Sequence, residues 1–154
     1  MTPSCPECGA PALPNSCDAL YQQLLALDHA RQAPWGPLHG VAMACFFLQH
    51  SARQPAGARP VHWGMLHAYL RDGQVGVAAL TRRVRKLNSH RSGGRPPRAE
   101  DFAGAPPFPD VDPPSAFDTT IADVAGDGGF PAERYEDSVR AWVADTVKAW
   151  RDAR

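Results

Sequence analysis

Three cysteines near the start of the chain constrain its fold more than any other feature. Cys5 and Cys8 are separated by two residues and Gly9 follows them, a spacing that lets two thiolates face one metal ion. Glycine suits this turn because it adopts a positive φ without steric cost. Cys17 adds a third sulfur nine residues after Cys8. Thiolates favour zinc in a closed, redox-inactive site, so we predict structural zinc here; unmetallated or redox-active cysteines are the alternative.

Composition limits the classes of protein that remain. Lys plus Arg and Asp plus Glu number 16 each, and a chain without formal net charge does not indicate a polyanionic partner. The first residues lack the basic start and apolar run of a signal peptide, and no apolar run approaches the ~20 residues that span a bilayer. We therefore expect a cytoplasmic protein without a membrane partner, and the balanced charge does not favour a nucleic-acid partner. In that compartment the cysteines favour metal binding or redox chemistry over a disulfide framework.

Two segments with helical periodicity follow the cysteines, at residues 17–31 and 38–50. Ser16 offers an N-cap to the first segment, and the Pro- and Gly-containing stretch 32–37 separates the two. The second segment is apolar almost all round, which is typical of a helix buried on every side. Cys45 lies within it and is interpreted as a small buried hydrophobe. The sequence thus predicts a helical hairpin whose second helix is central.

The hairpin predicts which side chains meet at its two ends. The first helix carries Cys17 and Asp28, and the second carries His39 and His50. Each pair is eleven residues apart, or about 16 Å of helix, and short loops join antiparallel neighbours. Cys17 should therefore face His50, with a hydrogen-bonded helix-end histidine as the alternative for His50. The predicted site is a Cys3His zinc site with the ligands Cys5, Cys8, Cys17 and His50.

Asp28 and His39 form a second candidate site, together with His62 or His67 from the next apolar segment. Two or three histidines and a carboxylate are groups that catalytic metal sites in helical bundles use. One hypothesis is therefore a small metal-dependent or acid–base enzyme with Asp28, His39 and His62 as catalytic residues. His62 and His67 lie about 140° apart around a helix, so at most one shares that face. A buried pair between Asp28 and His39 without a metal explains the same residues.

The remaining chain alternates between helical patterns and stretches rich in Pro and Gly. Residues 75–88 carry apolar side chains at helical spacing opposite a basic face, which we interpret as a solvated amphipathic helix rather than a nucleic-acid interface. A short helix is predicted at 121–124 with Gly126 ending it, and Pro131 starts the last helix. That helix carries an apolar stripe predicted to dock on the hairpin, made of Tyr135, Val139, Trp142, Val143, Thr146, Val147 and Trp150.

The predicted architecture is all-α, a small helical bundle with an N-terminal Cys-x-x-Cys zinc knuckle packed on the helical hairpin. Each region is assigned from its own composition and periodicity. The four regions are a zinc knuckle at 1–16, a helical core at 17–88, a Pro/Gly-rich and partly disordered connection at 89–118, and C-terminal helices docking on the core at 119–154.

Taken together, these motifs resemble a bacterial family of uncharacterised proteins, domain of unknown function 5946. The resemblance rests on Cys-Pro-x-Cys-Gly-Ala, a third Cys opening a helix, the Leu48-Gln49-His50 triplet, Thr-Ile-Ala-Asp-Val at 120–124 and a Trp-rich last helix. It implies a small helical protein without an established activity. The family pattern has an acidic residue where Ala44 stands and a His near Tyr135, and their absence weighs against catalysis. The recurrent positions implied are Cys5, Cys8, Cys17, His39, His50 and His62.

Three functions are compatible with these patterns. The first is a zinc-stabilised helical domain that serves as an accessory or interaction protein with a protein partner. The second is the enzyme that uses Asp28, His39 and His62. The third is a nucleic-acid binding module that uses the cysteine knuckle and residues 82–86. The intact cysteine set favours the first.

Overall fold

The computed structural model describes residues 3–11, 16–87, 101 and 104–154. Within these ranges the regular structure is helical, apart from one isolated antiparallel bridge between Ser4 and Pro11, and the predicted all-α class is confirmed. No helix among the described residues is long and apolar enough to cross a membrane. The helices are α1 (Cys17–His29), α2 (His39–Gln49), α3 (Arg59–Leu87), α4 (Ile121–Ala125) and α5 (Ala132–Asp152).

The first helix, α1, begins where Ser16 caps it. The Ser16 hydroxyl accepts a hydrogen bond from the backbone N–H of Ala19 at 3.3 Å, which satisfies one of the free donors of the first turn. Leu20, Leu24 and Asp28 are the buried residues of this helix. Their spacing of four residues keeps them on one side, so the Asp28 carboxylate is carried into the interior with the two leucines.

The second helix, α2, is the central one, as its composition predicted. It packs against α1, α3 and α5, so its residues are covered from several directions. Gln49 is buried, yet its Nε2 donates hydrogen bonds to the Thr119 carbonyl at 2.8 Å and to the Thr146 hydroxyl at 2.9 Å. These bonds tie the end of α2 to α5 and to the residues before α4. The buried residues of α2 are Val41, Ala42, Ala44, Cys45, Phe46, Leu48 and Gln49.

The third helix, α3, is interrupted at Gly73, where φ is +66° and ψ is −156°. Glycine adopts this left-handed backbone without the penalty that a Cβ would bring. Before the break, Trp63, Leu66 and Tyr69 are buried in the core, whereas Val77 is the buried large side chain after it among the described residues. The second half of α3 is therefore mostly solvated, as expected for an amphipathic helix with an exposed basic face.

The last two helices match their predicted positions. A capping box starts α4. The Thr120 side chain accepts from the backbone N–H of Asp123, and the Thr120 backbone N–H donates to Oδ2 of Asp123 at 2.8 Å. Gly126 ends α4 with a φ of +63°. The predicted stripe of α5 is confirmed, since every member is buried: Tyr135, Val139, Trp142, Val143, Thr146, Val147 and Trp150.

An irregular segment at residues 104–118 covers part of the core on its way from α3 to α4. The indole N–H of Trp63 donates to the Pro106 carbonyl at 3.1 Å, and Phe108 packs against the rings of Trp63 and Trp150. At its far end the Phe117 N–H donates to the Cys8 carbonyl at 3.2 Å. The rest of the predicted Pro/Gly-rich connection, at 89–100 and 102–103, lies outside the described residues.

Candidate metal centre

Four side chains from three parts of the chain converge at one end of the hairpin. They are Cys5 and Cys8 from the knuckle, Cys17 from the first position of α1, and His50 directly after α2. One ligand atom from each lies within 4.8 Å of the others. Cys8 and His50 have no exposed surface, and Cys5 and Cys17 are half-buried. Among the described residues this is the one group of three or more His, Cys, Asp or Glu side chains that could hold a metal ion.

Backbone hydrogen bonds shape the knuckle. The Cys5 N–H donates to the Ala10 carbonyl at 2.8 Å, and the Gly9 N–H donates to the Cys5 carbonyl at 2.8 Å. Gly9 has a φ of +81°, the conformation for which its glycine was expected. The Ala10 N–H points at Cys8 Sγ, 3.4 Å away, and such N–H···S contacts favour a thiolate. The turn thus presents both sulfurs to the same side.

His50 is oriented by the end of α2. Its Nδ1–H donates to the Phe46 carbonyl at 2.8 Å, one of the carbonyls left without a partner at a helix C-terminus. Its ring also stacks on Phe46 with centroids 4.2 Å apart. This bond fixes the tautomer and leaves Nε2, which lies 3.8 Å from Cys5 Sγ, as the ligand atom.

The separations fit a tetrahedral metal ion. Cys8 Sγ and Cys17 Sγ are 3.7 Å apart, and two sulfurs bound to zinc at ~2.3 Å in tetrahedral geometry are about 3.8 Å apart. The two measured ligand pairs, Cys8 with Cys17 and Cys5 with His50, are close to this length without a disulfide having formed. Three sulfurs and one imidazole nitrogen would supply all four ligands of a tetrahedral ion and leave no coordination position open.

Without a metal ion the site holds protons. The hydrogen bond with Cys17, together with burial, raises the pKa of Cys8 to about 12, and the same bond lowers the pKa of Cys17. Burial opposes the charged form of His50, but the contacts with Cys8, the Phe46 carbonyl and Cys5 outweigh it and raise its pKa to about 9. A metal ion must displace these protons, so the affinity for metal falls as the pH falls.

Arg53 links two cysteine-containing segments, the knuckle and the start of α1. The sequence did not indicate this role. The Nε of Arg53 donates to the Glu7 carboxylate at 2.9 Å, and its Nη1 donates to the Asp18 carboxylate. Glu7 belongs to the knuckle and Asp18 to the first turn of α1. No local pattern links positions 46 and 35 residues apart, so only the folded chain reveals this clamp.

The predicted contact at the opposite end of the hairpin is confirmed. Nδ1 of His39 lies 2.8 Å from Oδ2 of Asp28, with the carboxylate side chain 5% exposed and the imidazole 44% exposed. His62 is not part of this pair, since its ring stacks on Phe47 and its Nδ1 is buried without a partner. His67 packs against Trp63. Of the three catalytic candidates, the structure therefore joins two.

The titration of His39 tests this pair. The hydrogen bond with Asp28 raises the pKa of His39 above its usual 6.5, although burial opposes the shift. The pair therefore stabilises the fold below the pKa of an unfolded histidine, and this contribution is lost as the pH rises through the folded pKa. In an NMR titration we expect His39 to titrate above 6.5 and Asp28→Asn to lower its pKa. Burial lowers the pKa of His67, and this pKa should be the same in the variant and the wild type. If Asp28→Asn leaves the pKa of His39 unchanged, the pair is contradicted.

The comparisons with known proteins add a family and no activity. No curated protein matches the chain, and no solved structure matches it. A family profile described as a family of unknown function, DUF5946, matches residues 3–151. That match covers all four side chains of the candidate metal centre, the helices α1 to α4, and α5 except for its last residue. The chain belongs to this family of unknown function, DUF5946.

Proposed function

We propose that this protein is a zinc-stabilised helical domain that works as an accessory or interaction protein, with zinc in a structural role. The observation that carries the proposal is the convergence of Cys5, Cys8, Cys17 and His50. Catalytic zinc sites keep a position free for water or substrate, whereas structural sites use four protein ligands. A set of four protein ligands thus supports a role in holding the fold.

Zinc is the ion that suits this ligand set. Three thiolates and an imidazole are soft and borderline donors, which favour zinc over hard cations that prefer oxygen. The thiolates also need a reducing compartment to stay available, which supports a cytoplasmic location.

The four ligands join the knuckle to the start of α1 and the end of α2. The described residues of the knuckle form no helix. They are attached through the buried Cys8 and Ala10, through contacts with Arg53 and Phe117, and through the ion when it is bound. Zinc-finger peptides gain an apparent ~10–16 kcal/mol on binding zinc, which is comparable to the ~5–15 kcal/mol stability of a typical domain. One ion of this kind is enough to decide whether the N-terminal part folds.

Metal content of the purified protein tests the proposal. Native mass spectrometry should show one zinc per chain, and Cys8→Ser should lose it because one of the ligands is gone. Cys45→Ala is the matched control, since Cys45 is a buried cysteine of α2 outside the ligand group, and it should keep full zinc. A folded wild-type protein without zinc, or a Cys8→Ser variant with a full complement, would contradict the proposal.

A further inference from the structure

A separate open pocket lies at the other end of the hairpin, between the end of α1 and the start of α2. Its volume is about 310 Å³, and its lining residues are Leu25, Asp28, His29, Arg31 and His39. Three of these five side chains are cationic or can become so. Asp28 is the acidic one, and its carboxylate is buried and bonded to Nδ1 of His39. The pocket is therefore rich in hydrogen-bond donors.

The backbone of Arg31 is held in a conformation that glycine usually occupies. Its φ is +55°, just past the end of α1, where a glycine would adopt the left-handed conformation more easily. The Arg31 N–H donates to the Asp28 carbonyl at 3.0 Å. A Cβ on Gly36 would lie 2.9 Å from the Cα and carbonyl carbon of Arg31, so the following loop closes tightly on this residue. Arg31 therefore places a large side chain at a position whose backbone conformation favours glycine.

Apart from Nδ1 of His39, the side-chain donors of the pocket have no partner among the described residues. Within the described part of the chain, the guanidinium of Arg31 and the ring of His29 make no hydrogen bond or ion pair. His39 uses Nδ1 for Asp28, which leaves Nε2 toward solvent on a ring that is 44% exposed. The second carboxylate oxygen of Asp28, Oδ1, is buried without a hydrogen-bond partner, and the negative charge of this carboxylate is offset by the neighbouring His39 ring when that ring is protonated. The orientation of the imidazole is thus set by a buried group.

We propose that this pocket binds a small oxyanion, a carboxylate or a phosphate group, between the guanidinium of Arg31 and Nε2 of His39. The planar fork of an arginine matches two oxygens of such a group. The protonated ring of His39, whose Nδ1–H donates to Asp28, donates its Nε2–H to a third oxygen or to one of the same two. His29 adds a third donor at the rim of the pocket. The site is separate from the four metal ligands, so it does not depend on the structural role of zinc.

Anion titration of the full-length protein, followed by NMR, tests the site. Inorganic phosphate and acetate are the two probes, at constant ionic strength set with sodium chloride. We expect saturable shifts at Arg31, His39 and their neighbours with at least one probe, and the probe that binds identifies phosphate or carboxylate. Shifts that sodium chloride alone reproduces, or no saturable shift with either probe, would overturn the proposal.

Arg31→Gly separates binding from folding. Glycine adopts the φ of +55° without a side chain, so this variant should fold as well as the wild type. Loss of a charged hydrogen-bonding partner should weaken anion binding about tenfold to a hundredfold, and His39→Gln should weaken it as well. Arg82→Ala, on an exposed arginine of α3 outside the pocket, is the matched control and should bind as the wild type. Equal affinity in Arg31→Gly and the wild type would refute the site.

Discussion

Chelation of the metal is expected to unfold the N-terminal part of the chain, including the knuckle and α1. The metal-free site must keep Cys8 and His50 buried with their protons and lacks the bonds that an ion would provide. The apparent gain of ~10–16 kcal/mol for zinc in small peptides is comparable to the ~5–15 kcal/mol stability of a typical domain. Since 1 kcal/mol corresponds to about 2–4 °C for a chain of this size, the melting temperature should fall by tens of degrees.

Circular dichroism with and without a chelator measures this effect. Protein whose metal loss is verified by mass spectrometry should lose helical signal and melt earlier, and added zinc should restore both. Cys45→Ala, which leaves the ligand group intact, should respond to chelation like the wild type. Unchanged helicity and melting in protein that has lost its metal would show that the site does not hold the fold.

Helix geometry explains why both ends of the hairpin could be predicted from the sequence. The rise per residue of an α-helix is constant, so a pair of residues eleven positions apart in one helix spans the same length as such a pair in the other. In two antiparallel helices the members of these pairs therefore lie opposite each other. The structure brings Cys17 to the same group as His50 and places Asp28 at 2.8 Å from His39. The prediction needed only the two helix boundaries and a short turn, and these were readable from the periodicity and the turn residues.

Contacts made by irregular segments could not be predicted in the same way. Arg53 lies in a short turn after α2, and nothing in its local sequence points to Glu7 or Asp18. The segment at 104–118 was predicted only as part of a Pro/Gly-rich, partly disordered connection, whereas its packing depends on the contact of Phe108 with Trp63. Such contacts depend on how the chain returns across the core, which periodicity does not encode.

The pocket at Arg31 shows a third kind of limit. The sequence pattern ended the first helix near this residue, but a non-glycine residue with a positive φ cannot be recognised from the residue type. His62 was grouped with Asp28 and His39 because histidines are chemically alike, whereas its ring stacks on Phe47. Residue types thus identified the chemistry available to the site, and the tertiary packing decided which side chains share it.

Trp150→Ala should destabilise the fold by about 3–5 kcal/mol, the range for truncating a large buried aromatic residue. Trp150 is fully buried near the end of α5, and its ring packs against Phe108 with centroids 4.9 Å apart. Its Nε1–H donates to the Leu48 carbonyl at 2.9 Å, two residues before His50. The substitution therefore opens a cavity and also leaves a buried carbonyl unpaired, and urea denaturation of the zinc-loaded protein measures the sum.

Trp150→Phe separates the two contributions. Phenylalanine keeps most of the apolar packing and removes the donor, so this variant should lose about 1–3 kcal/mol from the unpaired Leu48 carbonyl and the smaller ring. Trp35→Ala serves as the control, because Trp35 is only half-buried although its indole N–H also donates to a carbonyl, that of Phe130. If Trp150→Ala costs no more than Trp35→Ala, α5 does not support the end of α2 on which His50 depends. The expected order, with Trp150→Ala the most destabilised, would show that the contacts of Trp150 with Leu48 and Phe108 stabilise the fold at the end of α2.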